Sequence, residues 1–233
     1  MRVLAISHQR DAGAGVFAEA AADSGATLEE WFIAETPHPS SDPFGYDAVM
    51  SFGGAMHPDQ DGDHAWIAEE KLLLRELLAR ETPLLGVCLG SQLLVGAAGG
   101  TVRRASVPEI GWHEVEITTD GCEDPLLSGL APGFEAFQWH SYECVPPPDA
   151  TILASSPVCV QAYRLGASAY GIQFHAEVSV VDVEHWIDDY RADPDAIRIG
   201  LDPLAMHSAT NERIGAWNQL GRELCGRFLK SVA

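Results

Sequence analysis

The stretch Pro83-Leu84-Leu85-Gly86-Val87-Cys88-Leu89-Gly90-Ser91-Gln92 decides how this chain is read. An apolar run stops at a cysteine flanked by glycines, and a helix-like segment, Leu93-Leu94-Val95-Gly96-Ala97-Ala98, follows at once. That pattern predicts a buried strand, a sharp turn and a helix. Gly86 and Gly90 bring no side chains to crowd the turn, so the thiol of Cys88 can stand clear of the backbone. A helix beginning there points its positive end at the sulfur, and the free N–H groups of its first turn can receive an oxyanion. A lone cysteine is more often a small buried hydrophobe than a nucleophile. The chemistry therefore depends on partners elsewhere in the chain.

On the amino-terminal side, Arg2–Ile6 reads as a strand, Gly13–Ala22 as an alanine-rich helix and Thr27–Ile33 as a second strand. Ala48–Phe52 is a strand that ends in Gly53-Gly54, and Asp63 is placed to cap a helix from about His64 to Arg80. Alternation at these spacings implies parallel pairing with right-handed crossovers, and ligands then gather at the carboxyl ends of the strands. Gly53-Gly54 and Cys88 both fall at that end. After Gly100 the pattern changes to short strands at His113–Thr118, Glu135–Trp139, Thr151–Ala154, Cys159–Arg164 and Ala169–Phe174, an antiparallel or mixed edge. Val180–Tyr190 is helical, and helical patterning continues from Asp193. The expected fold is α/β: an open, mostly parallel twisted sheet flanked by helices, with an antiparallel edge and extra C-terminal helices. Residues 1–192 form one domain, and 193–233 a helical extension packed on it, the candidate docking or dimer surface.

The chain carries 34 acidic and 14 basic side chains among 233 residues, a net charge of −20. Such a surface repels phosphate backbones and anionic headgroups, which argues against nucleic-acid and membrane-surface partners. Five cysteines, an odd number with no CxxC spacing, argue against a disulfide framework or a zinc site, and a reduced, cytoplasmic protein is expected. Asp59-Gln60-Asp61-Gly62-Asp63 with Glu70 mimics part of a calcium loop, but His64 stands where that loop needs glycine. No metal is expected there, and Cys122, Cys144, Cys159 and Cys225 read as packing residues.

Partners for Cys88 stand in Tyr170-Gly171-Ile172-Gln173-Phe174-His175-Ala176-Glu177, an apolar strand ending in a histidine with a carboxylate two residues on. A nucleophilic cysteine needs a base to take its proton and a third group to orient that base. His175 and Glu177 leave an extended chain on the same face, so the carboxylate can reach back to the ring. Phe52-Gly53-Gly54 supplies unencumbered backbone that could offer an N–H to an oxyanion.

Taken together, Gly86-Val87-Cys88-Leu89-Gly90-Ser91-Gln92, Phe52-Gly53-Gly54 and Phe174-His175-Ala176-Glu177 resemble the three motifs of class I (triad-type) glutamine amidotransferases. Pro108-Glu109-Ile110-Gly111-Trp112 and Trp139-His140-Ser141-Tyr142 further resemble the free-standing, GMP-synthetase-like branch. The resemblance covers about Arg2–Ala192. It implies that Cys88 attacks the side-chain amide of glutamine to give a γ-glutamyl thioester and ammonia. His175 would act as base and then acid, with Glu177 fixing its tautomer. It also implies that the N–H groups of Gly54 and Leu89 hold the oxyanion, and that Gly53, Gln92, His140, Ser141 and Tyr142 contact the substrate. No cofactor is implied. The implied partners are L-glutamine or another γ-glutamyl compound and a synthetase subunit that accepts the ammonia; a second copy of the chain is a further candidate partner, through the helices after Asp193. Ala176 and Ala55 depart from the family pattern, each standing where a proline is usual. A silent or partner-gated binding protein and a hydrolase of other γ-glutamyl amides or peptides are the alternatives on the same fold.

Overall fold

The computed structural model describes residues 1–232. Strand and helix alternate through the first part of the chain: β1 (Arg2–Ser7), α1 (Gly15–Asp23), β2 (Thr27–Phe32), β3 (Ala48–Ser51), α2 (Ala65–Ala79), β4 (Leu84–Val87) and α3 (Leu89–Ala97). A run of strands follows: β5 (Thr101–Ile117), the short helix α4 (Thr119–Glu123), β6 (Gly133–Val145), β7 (Thr151–Ser155), β8 (Val160–Leu165) and β9 (Ala169–Ile172). Helices α5 (Val180–Asp188), α6 (Pro194–Arg198) and α7 (Pro203–Val232) come last.

The strands form one nine-stranded sheet in the order β2-β1-β3-β4-β9-β8-β7-β5-β6. Pairing is parallel from β2 through β9 and antiparallel from β9 outward to β6. The fold is therefore α/β with an antiparallel edge, as the pattern predicts. The inner parallel strands β1, β3, β4 and β9 are buried on both faces because helices cover both, whereas the edge strand β2 carries Glu29 and Glu30. Along β1, Val3 and Ala5 face a core with Phe17, Trp217 and Phe228, while Leu4 and Ile6 face one with Ile67, Leu74, Leu77 and Leu93. Thus α1 and α7 cover one side of the sheet, and α2 and α3 the other.

The turn after β4 is as tight as its glycines suggest. A Cβ on Gly90 would lie 2.1 Å from the carbonyl oxygen of Ser51, and one on Gly86 would lie 2.7 Å from that of Gly90. Gly90 N–H donates to Phe52 O at 2.9 Å, which fixes α3 against the end of β3. Cys88 and the glycine pair after β3 are held together by this crossing.

Several boundaries differ from the sequence reading for local reasons. Helix α2 starts at Ala65, with His64 as an N-cap that makes no side-chain bond. Asp63 and His64 both donate to Gln60 O in a separate turn, so Asp63 does not reach the cap. Helix α5 stops at Asp188. A 3-10 turn over Tyr190–Ala192 then leads to Asp193, which caps α6, and Pro194 excludes helix at the residue before it. Strand β6 runs on to Val145, so His140-Ser141-Tyr142 lies within a strand. Cys122 is exposed and is not a packing residue. Within 193–233, α7 lies along α1, burying Trp217, Leu224, Cys225, Phe228 and Leu229; residue 233 lies outside the described residues.

Candidate active site

Cys88 is 5% exposed and sits between β4 and α3 with φ of +50°, outside the backbone region favoured by residues with a side chain. Such strain persists only where its surroundings hold it. Here Cys88 N–H donates to Ile172 O at 2.9 Å and Cys88 O accepts from Gln92 N–H at 3.0 Å. The backbone is pinned on both sides of the sulfur, in the manner of a nucleophile elbow.

His175 and Glu177 come from the chain just beyond β9, the strand beside β4. His175 Nδ1 lies 2.8 Å from Glu177 Oε1, and both side chains are buried. The ring is held edge-on to Trp186, with centroids 4.9 Å apart. Burial works against a charged ring, but the charges of Glu177 and Cys88, with a hydrogen bond to each, outweigh it and raise His175 from 6.5 to about 10. A raised pKa stabilises the fold fully below pH 6.5, and that contribution is lost as pH rises through about 10. The melting temperature should therefore fall on alkaline titration, and fall later in wild type than in a Glu177→Gln variant.

Helix α7 holds this histidine-bearing segment from behind. Trp217 Nε1 donates to His175 O at 2.8 Å, and Asn218 Nδ2 donates to Val178 O at 2.7 Å. Between them Gly221 packs so closely that a Cβ would meet Ala176 O at 2.0 Å. Val16 N–H closes the loop by donating to Glu177 O at 2.7 Å. Gly221→Ala should push α7 off the loop and lower stability by about 1–3 kcal/mol, read by chemical denaturation. An unchanged midpoint would show that the loop does not depend on this contact.

In front of the sulfur is a cavity of about 330 Å³, lined among others by Gly54, Cys88, Leu89, Gln92, His140, Ser141, Tyr142 and His175. Eight of the ten residues singled out in the sequence thus share one cavity wall. Gly53 lies just behind it, where a Cβ would come 2.8 Å from His175 Cε1, and Glu177 sits behind His175. Among the described residues, neither Gly54 N–H nor Leu89 N–H donates to another protein group. Gln92 is tied in place, donating through Nε2 to Gln173 Oε1 at 3.2 Å and to Tyr142 O at 3.5 Å.

Trp186, Tyr190 and Asp193, which the sequence reading passed over, complete the wall beside Trp139. Trp139 Nε1 donates to Asp193 Oδ2 at 2.8 Å. Next to Asp193, Asp195 binds Arg104 at 2.6 Å and Arg198 at 2.8 Å. Burial raises the Asp195 carboxyl, but its bonds to Ser141, Arg198 and Arg104 outweigh that and hold it well below the usual carboxylate range. The segment around α6 is thereby tied to Arg104 of β5 beside the cavity edge. The sequence reading goes no further here than helical patterning from Asp193.

Glu109, His140 and Cys159 form a second buried group, with their donor atoms within 4.8 Å of one another. His140 Nδ1 lies 2.9 Å from Tyr142 O, while its Nε2 is 3.3 Å from Glu109 Oε2 at an angle too poor for a hydrogen bond. Glu109 Oε2 already accepts from Ser156 at 3.1 Å and from Gln161 at 2.8 Å. Burial raises the Glu109 carboxyl, but His140, together with Ser156 and Cys159, outweighs this, so the net shift is downward. The group is a satisfied carboxylate beside a histidine that bonds to the Tyr142 carbonyl on the same strand. A cation there would displace those donors.

Comparison with known proteins supports the same reading. The family model for Glutamine amidotransferase class-I matches residues 19–186. The chain belongs to the class-I glutamine amidotransferase family. It is 31% identical over 192 residues to the glutamine amidotransferase-like protein YfeJ of Salmonella typhimurium, covering 79% of each chain. It is 38% identical over 136 residues to one subunit of the glutamine-hydrolysing GMP synthase of Sulfolobus acidocaldarius, covering 57% of this chain and 68% of the relative. The crystal structure of a glutamine amidotransferase from Thermotoga maritima superposes with a TM-score of 0.88 at 27% identity, covering 99% of this chain and 98% of the other. As a class-I amidotransferase, the chain has a domain built for hydrolysis of the glutamine amide. Among the described residues, no helix is long and apolar enough to cross a membrane.

Proposed function

We propose that this amidotransferase hydrolyses the side-chain amide of L-glutamine through a γ-glutamyl thioester on Cys88. The observation that carries the reading is the buried His175–Glu177 pair, 2.8 Å apart, brought to a strained cysteine on the cavity wall. The His175 ring, held charged by Glu177, carries the proton taken from the thiol, and the sulfur attacks the amide carbon. The N–H groups of Gly54 and Leu89 receive the negative charge that develops on the amide oxygen, each donor being worth about 10²–10³ in rate. When the tetrahedral adduct collapses, the C–N bond breaks. The nitrogen leaves as ammonia with the proton held by His175. Water, deprotonated by the same ring, then attacks the thioester to release glutamate and regenerate the thiol. Glu177 keeps Nδ1 protonated throughout, so that Nε2 is the atom that exchanges protons. Gln92, Ser141 and Tyr142 line the cavity where the substrate's α-amino and carboxylate groups would lie.

The ammonia would pass to a separate synthetase chain, a role suggested by the relatives that are subunits of GMP synthases. Purified protein should release glutamate from L-glutamine in a Cys88-dependent manner. A second reading is favoured by the aromatic part of the cavity wall, Trp139, Trp186 and Tyr190. It gives space for a substituent on the γ-nitrogen, as in a γ-glutamyl amine or peptide. Competition decides between the two readings, since γ-glutamyl amines that outcompete glutamine would make them the substrates.

A further inference from the structure

Behind Gly53-Gly54, on the side away from the cavity, lies a buried charge pair with no part in the mechanism above. His8 follows the last residue of β1, and Glu70 sits on the buried face of α2. Both side chains are fully shielded from solvent. His8 Nε2 lies 2.7 Å from Glu70 Oε2, and His8 Nδ1 lies 3.0 Å from Gly53 O. The other carboxylate oxygen of Glu70 accepts from Ser51 Oγ at 2.6 Å, and the indole of Trp66 stacks on the His8 ring at 4.9 Å and 15°. A buried pair of this kind is weak evidence for stability, because desolvation offsets much of its attraction. Its position suggests another use.

The carbonyl of Gly53 and the N–H of Gly54 belong to one peptide group. That group is trans, so its C=O and N–H point in opposite directions. His8 therefore donates to one end of a peptide whose other end is the N–H of a cavity-lining residue. We propose that His8, charged by Glu70, is a positioning residue that orients and polarises the Gly53–Gly54 peptide so that Gly54 N–H is a stronger donor to the oxyanion. The inference rests on the reading of Gly54 as an oxyanion donor. Three features support it. Both His8 nitrogens face oxygen acceptors, which favours the imidazolium. Charge-assisted hydrogen bonds are about twice as strong as neutral ones, and hydrogen-bonded groups in series polarise one another. A Cβ on Gly54 would also lie 3.0 Å from His8 Cβ, so the histidine supports the peptide by direct contact. Burial lowers the His8 pKa, but the Glu70 charge and the bonds to Glu70 and Gly53 more than compensate, giving a net rise above 6.5.

Glu70→Gln tests the device, because the amide keeps the shape and can still bond to Ser51 and His8 while the charge is lost. With L-glutamine, kcat should fall about tenfold with KM changed less than about twofold, since only a transition-state contact is weakened. An aldehyde analogue of glutamine, whose adduct with Cys88 carries an oxyanion, should lose affinity by the same factor, while glutamate should bind as before. The Gly54 amide proton should resonate downfield in the wild-type protein and move upfield in the variant, a readout that needs no turnover. His8→Gln, which keeps a donor for Gly53 without the charge, is the second variant and should show the same losses. A lower melting temperature with kcat and the Gly54 resonance unchanged would reduce the pair to a structural pin and overturn the proposal. If wild type shows no Cys88-dependent turnover but Gly54 still responds to Glu70→Gln, the glutaminase reading fails and the coupling between the pair and the peptide stands.

Discussion

Cys88→Ala lowers glutamate release from L-glutamine by about 10⁴-fold or more, because every bond made and broken in the proposed reaction passes through the sulfur. The expected structural cost is small. Cys88 is buried against Ile172 and the start of α3 by backbone hydrogen bonds that alanine retains, and the strained φ of +50° is common to both side chains. The melting temperature should accordingly stay close to that of the wild-type protein. Activity within about tenfold of wild type would mean that another group carries the reaction.

Glu177→Gln is expected to have the next largest effect, a loss of about 10²–10⁴ in kcat. The carboxylate makes one bond to His175 Nδ1, at 2.8 Å, and its second oxygen, Oε2, has no hydrogen-bond partner among the described residues. An amide can offer its NH₂ to Nδ1, which turns the ring to the wrong tautomer and leaves Nε2 protonated when it should receive the thiol proton. The same change removes the charge that raises His175, so the pH at which the ring deprotonates falls back from about 10. Two measurements therefore move together: kcat at neutral pH, and the pH at which the melting temperature begins to fall. A drop in kcat with no shift in the alkaline limb would place Glu177 outside the proton transfer.

The parallel half of the sheet is readable because its signals are local. An apolar run that ends in Gly53-Gly54 or in Cys88 states both where a strand stops and what stands at its carboxyl end. Cys88, His175 and the glycines stand out for that reason, each being the last polar or flexible residue of an apolar segment. His8 carries the same signal at the end of β1, but a single histidine followed by Gln9-Arg10-Asp11 looks like the start of a polar loop. Glu70 is hidden by the opposite effect. It lies on a helix amid charged neighbours, where a carboxylate is expected to face water, and only the packing of α2 against β1 and β3 buries it. The wall from Trp186 to Asp195 is invisible for a third reason. Its contacts join residues far apart in the chain, such as Arg104 to Asp195 and Trp139 to Asp193, and no spacing rule reports those. Helix α7 shows the limit from the other side. Its apolar periodicity marks a buried face, but only the contacts of Trp217 with His175 O and of Gly221 with Ala176 O reveal that this face supports His175.

The proposed reaction requires that Cys88 become acylated by the γ-glutamyl group. Its most direct test is intact-mass spectrometry of the protein acid-quenched during turnover with L-glutamine. The predicted result is a γ-glutamyl adduct that maps to the Cys88 peptide, is cleaved by hydroxylamine and is absent from Cys88→Ala. Turnover of glutamine with no adduct on Cys88 under any quench, in a protein whose Cys88→Ala variant remains active, would contradict it.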